Sequence, residues 1–313
     1  MRVVFMGTPD FAVASLDHLV KGGIEVVAVI TAPDKPVGRG QKMSESAVKK
    51  YAVAHDIPVL QPEKLKNGAF IEELKSFNAD LQVVVAFRML PEVVWAMPRL
   101  GTINLHGSLL PQYRGAAPIN WAIINGEQKT GVTTFFIEKE IDTGQIIFKE
   151  EIEIGESEDA GSLHDRMMEI GGIALLKTVN AIKEGNYTQT PQDFSSDLKA
   201  APKIFKETCK IDWTQSASTI FDFIRGLSPY PSAWTLMGNK QLKIFKTAKC
   251  AEAEITEDFK EYDFADESLK MFSDGKKALI AKTGDGCLSI LELQLEGKKR
   301  MGVEEFLRGY RFE

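Results

Sequence analysis

Residues 2–30, RVVFMGTPDFAVASLDHLVKGGIEVVAVI, decide the fold class. Arg2 to Met6 is a β-branched run that stops at Gly7, Pro9 to Lys21 carries apolar residues at helical spacing, and Ile24 to Ile30 is an apolar run broken only by Glu25, of the kind found in buried parallel strands. Working outward, the alternation repeats with a helix-like Ser44 to His55, Val59-Leu60, a charged helix around Glu63 to Ser76, the apolar run Leu81 to Phe87 and a strand-like Gly101 to Leu105. Strand and helix in alternation predict an α/β domain on an open, mostly parallel sheet, with its ligand site beyond the carboxyl ends of the strands.

From Asn186 to Lys206 the chain turns polar, with Pro191, Ser195-Ser196 and Ala200-Ala201-Pro202 and no sustained period. This reads as a linker and sets the expected domains at 1–188 and 207–313, joined through 189–206. Past it come one amphipathic helix, about Thr214 to Arg225, and short strand-like runs at Ala233–Leu236, Leu242–Phe245, Leu269–Phe272, Ala278–Lys282 and Cys287–Leu295. Gly-Asn, Asp-Gly and Gly-Asp-Gly turns separate them, so a small antiparallel β-barrel is expected.

Composition excludes several classes. The 313 residues are 44% hydrophobic and 26% charged, an ordinary globular balance. No apolar run approaches the roughly 18 residues that span a bilayer. The N-terminus reads straight into a strand without a signal-peptide layout, so a cytoplasmic protein, expected to be a monomer, is read. Three widely spaced cysteines and four histidines argue against a disulfide framework and against a metal site. The net charge of −6 hides a gradient: residues 206–313 hold 17 bases against 18 acids, yet eight of those acids fall within 252–267, beside Lys260 alone. That acidic segment is expected to be a loop on an otherwise basic body.

Gly7-Thr8-Pro9-Asp10 occupies the position of a dinucleotide loop but lacks its later glycines, and Pro9 denies an N–H to a phosphate. No nucleotide cofactor is expected, and the turn reads as a tight strand-to-helix connection. The informative stretch is 104–118, NLHGSLLPQYRGAAP. Asn104 and His106 are two apart, so on a strand they leave the same face, and two donors then converge at its carboxyl end. Acyl transfer needs such donors, because attack on a carbonyl builds negative charge on oxygen. The spacing fits equally an Asn104 that caps a turn and a His106 that satisfies loop carbonyls. Asp142 follows the strand-like Val132 to Ile137. With a helix at Ala116–Asn125 linking two parallel neighbours, it would reach the same sheet edge, where a carboxylate can take a proton from an attacking amine. On its own, Asp142 before Thr143-Gly144 reads as a turn residue. Lys35, Arg39 and Lys42 give the loop Thr31–Met43 a basic character. Lys298, Lys299 and Arg300, with Lys206, could line a phosphate-tracking face or protect strand edges.

These stretches resemble the folate-dependent formyltransferases. Asn104-x-His106, Ser108-Leu109-Leu110-Pro111, Arg114-Gly115-Ala116-Ala117-Pro118 and Asp142-Thr143-Gly144 match that family's pattern. FMGTPDFA, DKPVGRG (34–40), KIDW (210–213), IRGLSPYPSAW (224–234) and LELQLEGKKRM (291–301) extend the likeness to both ends, in the manner of members that act on charged tRNA. The resemblance implies a Rossmann-like catalytic domain and an OB-like barrel. It implies 10-formyltetrahydrofolate as formyl donor and the amino group of methionine on charged initiator tRNA as acceptor. It further implies Asn104, His106 and Asp142 as the catalytic trio and Ser108, Leu109, Leu110 and Pro111 as folate contacts. Phe87 and Leu90 would stand by the pterin pocket, and Arg39, Lys42, Lys206, Lys298, Lys299 and Arg300 would face tRNA. One departure is Ala86-Phe87-Arg88-Met89-Leu90-Pro91, one residue shorter than the family's segment and with Arg in place of Gly. A sugar-nucleotide or small-amine formyltransferase would need no basic barrel, a formate-releasing hydrolase would use water as acceptor, and an RNA-binding protein without catalysis would need no trio.

Overall fold

The computed structural model describes residues 1–37, 42–195, 197–263 and 269–310. The chain divides into two compact units, Met1–Gly115 with Thr130–Ile152 and His164–Ala200, and Ala116–Lys129 with Glu153–Leu163 and Ala201–Glu313.

In the first unit, seven strands lie in the spatial order Ile146–Glu153, Lys129–Phe136, Thr102–His106, Leu81–Val85, Arg2–Gly7, Glu25–Ile30 and Val59–Leu60. The last five are mutually parallel, which is why their sequences are apolar on both faces: Val3, Val4, Phe5 and Met6 are all fully buried. Val4, Met6, Ala28, Ile30 and Val84 pack beneath Phe70 and Leu74 of the helix Gly68–Ser76 and Val94 of Glu92–Trp95. On the other face Gly171, in the helix Ala160–Glu184, closes on Leu105, and the Thr134 and Thr178 hydroxyls bond at 2.8 Å. A Cβ on Gly7 would stand 2.5 Å from that of Ala12 and 3.0 Å from the Val85 carbonyl. The glycine there serves the tight exit from the first strand, as its lone occurrence suggests.

Two expectations are corrected in this unit. Lys129–Phe136 does neighbour Thr102–His106, but antiparallel, with Asn104 opposite Phe135 and His106 opposite Thr133. A parallel return needs a crossover of a dozen or more residues packed on the sheet. The helix between these strands is only Pro118–Ile124 and belongs to the second unit, where Asn120 Nδ2 donates to the Gly226 carbonyl at 2.8 Å. The loop expected over Thr31–Met43 contains a hairpin of Lys35–Val37 with Lys42–Ser44, in which Val37 pairs with Lys42. The short run Lys42-Met43-Ser44 supplies the second strand of that pair.

The second unit is built on an antiparallel sheet curled into a half-barrel, in the order Ala233–Met237, Lys240–Cys250, Cys287–Leu295, Leu279–Lys282, Lys270–Ser273 and Lys260–Asp263. Register shifts around Lys246 bend its longest strand. Among the described residues the two end strands do not pair with each other. Trp213, Ile220, Ile224, Leu242, Ile244, Leu288 and Leu293 belong to its hydrophobic core. The predicted helix forms as Ala217–Leu227 because the Ser216 side chain accepts from the Thr219 N–H and sets its start. The acidic loop is also corrected in part: Lys260–Asp263 is a strand paired with Lys270–Ser273, and Lys270 reaches Glu261 at 2.8 Å. Its charges obscure the strand because an edge strand exposes them freely. Among the described residues no helix is long and apolar enough to cross a membrane.

Candidate active site

Asn104 and His106 lie on the strand Thr102–His106, on the face that carries Val84 and Phe135 beside them. Two-residue spacing on an intact strand aligns them, as read from sequence. His106 is buried, and its Nε2 stands 2.9 Å from the Tyr113 carbonyl. A carbonyl only accepts, so Nε2 carries the hydrogen, and Nδ1 becomes a donor only in the doubly protonated ring. One nitrogen of His106 thus satisfies a loop carbonyl, and Nδ1 has no hydrogen-bond partner among the described residues. The Asn104 amide has no hydrogen-bond partner among the described residues.

Asp142 arrives by a route the spacing does not reveal. The Ile137 N–H donates to Thr102, at the start of Asn104's strand, and five residues later Asp142 Oδ2 accepts from the Gly115 N–H at 3.2 Å. His106 and Asp142 are thus both tied to Tyr113-Arg114-Gly115, which holds His106 Nε2 and Asp142 Oδ2 within about 11 Å of each other by chain reach alone. Asp142 takes φ 54°, a left-handed conformation that Asp and Asn tolerate. A Cβ on Gly144 would meet the Phe136 carbonyl at 1.7 Å, so only glycine closes this turn.

The 108–111 stretch is pinned from below. Thr133 Oγ1 donates to the Ser108 carbonyl at 2.6 Å and accepts from the Leu110 N–H at 3.1 Å, while Ser108 Oγ donates to Gln112 at 2.6 Å. Ser108 and Leu110 are fully buried, Leu110 against Phe135 and Ile146, so what they offer outward is backbone. Leu109 lies over Gly131, and Pro111 follows a cis bond. Leu90 is in the core, and Phe87 packs against the same cluster. Arg88 turns aside to donate to the carbonyls of Glu63, at 2.8 Å, and Pro62, which is how an arginine fits where the family has glycine.

Of the basic residues expected to face tRNA, Arg39 and the Lys42 side chain lie outside the described residues. Lys206 is exposed, and its carbonyl accepts from Trp234 Nε1 at 2.8 Å. Lys298 is exposed with no partner for its ammonium among the described residues, whereas Lys299 pairs with Glu305 at 3.1 Å. Arg300 holds Glu292 at 2.9 and 2.5 Å and stacks over Phe245 at 4.4 Å.

Sequence reasoning missed Gln192. It is buried, and its amide bonds the turn containing Asp142 and the Arg114 guanidinium. No periodicity marks it, because it sits in the polar stretch 186–206, where only tertiary contact distinguishes one glutamine from another.

With this geometry in hand, the comparisons are specific. Residues 1–179 match the formyl transferase family model and residues 203–311 its C-terminal domain model. The chain is 52% identical to the methionyl-tRNA formyltransferase of Bacteroides fragilis, covering 99% of this chain and 95% of that one. It is 54% identical to that of Flavobacterium johnsoniae, covering 100% and 97%. An N-formyltransferase from Helicobacter canadensis, solved with folinic acid and dTDP-3-aminofucose, superimposes with a TM-score of 0.65 at 20% identity, over 96% of this chain and 99% of that one. Both family models and relatives more than half identical over nearly the whole length show that the chain belongs to the formyl transferase family.

Proposed function

We propose that this protein transfers the formyl group of 10-formyltetrahydrofolate to the amino group of methionyl initiator tRNA. The observation that carries this reading is identity above half with two methionyl-tRNA formyltransferases over essentially the whole length, barrel included. In this reading residues 1–188 perform the chemistry, 207–313 hold RNA and 189–206 join them. The acceptor nitrogen attacks the formyl carbon to give a tetrahedral adduct, which collapses to the new amide as the N10–formyl bond breaks and N10 takes up a proton, so that the proton lost by the amine is balanced by the one gained by the leaving tetrahydrofolate. Asn104 and the Nδ1–H of a doubly protonated His106 stabilise the oxyanion that develops on the formyl oxygen. Asp142 takes the proton that the attacking amine must lose. Folate is held along the backbone of 108–111 and by Phe87 and Leu90, and the acceptor end is guided by Arg39 and Lys42.

The test supplies purified protein and 10-formyltetrahydrofolate with methionyl initiator tRNA, free methionine, an amino sugar nucleotide or no acceptor. Formyl-methionyl-tRNA as the sole product is expected; formyl on the sugar, or formate alone, would overturn the acceptor. Asn104→Ala and His106→Ala should each lower kcat by about 10²–10³-fold, the usual effect of deleting one oxyanion donor. If they instead raise KM for the folate at unchanged kcat, they bind rather than stabilise the transition state. On the barrel, Lys298→Ala should weaken tRNA binding and reduce its salt slope by about 1, the signature of one lost phosphate contact. Arg300→Ala, by contrast, should lower stability more than affinity, since its side chain is engaged by Glu292 and Phe245. Equal affinity losses for the two variants would contradict that division.

A further inference from the structure

Arg114 and Gln192 surround Asp142 without belonging to the trio. Gln192 is 7% exposed, and every polar atom of its amide is engaged. Nε2 donates to the carbonyls of Asp142, at 2.9 Å, and Gly144, at 2.8 Å, while Oε1 accepts from Arg114 Nη2 at 2.6 Å. Two acceptors on one side and a cationic donor on the other leave the amide a single orientation. Among the described residues the other side-chain bonds of the turn it spans are Thr143 Oγ1 donating to Glu140 at 3.0 Å and the Asp142 carboxylate accepting from the Gly115 N–H.

Arg114 stacks on the Phe194 ring at 4.2 Å, and its Nε is buried without a hydrogen-bond partner among the described residues. Burial lowers the Arg114 pKa, while the Asp142 and Glu140 carboxylates act in the opposite direction. A buried N–H with no acceptor is not a feature that stability selects. A guanidinium kept there sets a fixed positive charge next to Asp142.

We propose that Gln192 is a positioning residue that cross-links the Asp142 turn to Arg114, so that the Asp142 carboxylate is held at the Tyr113–Gly115 segment beside His106. The proposal rests on the reading of Asp142 as proton acceptor. A carboxylate that must receive a proton from a nitrogen seated by other groups gains its effect from placement, and small misplacements are expensive in rate.

The test is Gln192→Glu in the full-length protein. Glutamate keeps the length and the acceptor for Arg114 but turns two N–H donors into oxygen facing two carbonyls. We expect kcat with methionyl initiator tRNA to fall about 10²-fold, as for a misaligned reacting group, with KM for 10-formyltetrahydrofolate and for tRNA each within about threefold of wild type. Gln192→Met, apolar and of like length, should show the same split, and it carries the test if the glutamate variant fails to fold. A kcat within about threefold of wild type in either folded variant, or a loss confined to KM, overturns the proposal. A wild-type protein that transfers no formyl group overturns the functional reading and the clamp together. An active wild type with an unaffected Gln192 variant overturns the clamp alone.

Discussion

Asp142→Asn should lower formyl transfer by about 10³–10⁴-fold, the upper range for loss of a general base, while folate and tRNA binding remain near wild type. The substitution isolates charge from shape. Asparagine adopts the left-handed backbone found at φ 54° as readily as aspartate does. Its side-chain carbonyl can still accept from the Gly115 N–H. The Gln192 bonds go to the backbone carbonyls of Asp142 and Gly144, and no change of side chain at 142 alters them. What asparagine cannot do is take up a proton as a base or carry a negative charge. Single-turnover transfer to methionyl initiator tRNA reads this directly. A folded Asp142→Asn protein within a few-fold of wild type would remove Asp142 from the chemistry, and Gln192 with it.

Trp213→Ala should destabilise the second unit by about 3–5 kcal/mol, the range for deleting a large aromatic side chain from a packed core. Trp213 is 1% exposed in the cluster with Ile220, Ile224 and Leu288, and its Nε1 donates to the buried Thr235 hydroxyl at 3.1 Å. Truncation therefore opens a cavity and leaves Thr235 without that donor. Trp213→Phe should lose less, because most of the ring volume remains. Urea unfolding of the intact protein measures both. A loss below about 1 kcal/mol for the alanine variant would mean that the site collapses around the vacancy, contrary to the packing described.

The sequence alone carries a good part of this. Apolar runs at 3–6, 26–30 and 83–85 announce parallel strands, because a strand covered by helices on both faces has little polar side to show. The alignment of Asn104 with His106 is equally local, being a matter of strand periodicity. The downstream strand runs stand where glycine-containing turns separate them, and Lys260–Asp263 is missed because an exposed edge carries no apolar pattern.

What tertiary structure decided is less local. Local spacing cannot tell that Lys129–Phe136 returns antiparallel, since the direction depends on whether the preceding helix covers the sheet or packs elsewhere, and Pro118–Ile124 packs with the second unit. The excursion that carries Asp142 back to Gly115 is legible in sequence only as a turn before Thr143-Gly144. Its destination follows from a hydrogen bond between residues 27 positions apart. Gln192 shows the limit most clearly: in a polar, aperiodic stretch, burial and three hydrogen bonds separate it from its neighbours, and both are products of the folded chain. Composition and periodicity determined which elements form and which side chains share a strand face, because those depend on residues close in sequence. The meeting of Asp142, Arg114 and Gln192 depended on where loops close in space, which the packed structure alone decides.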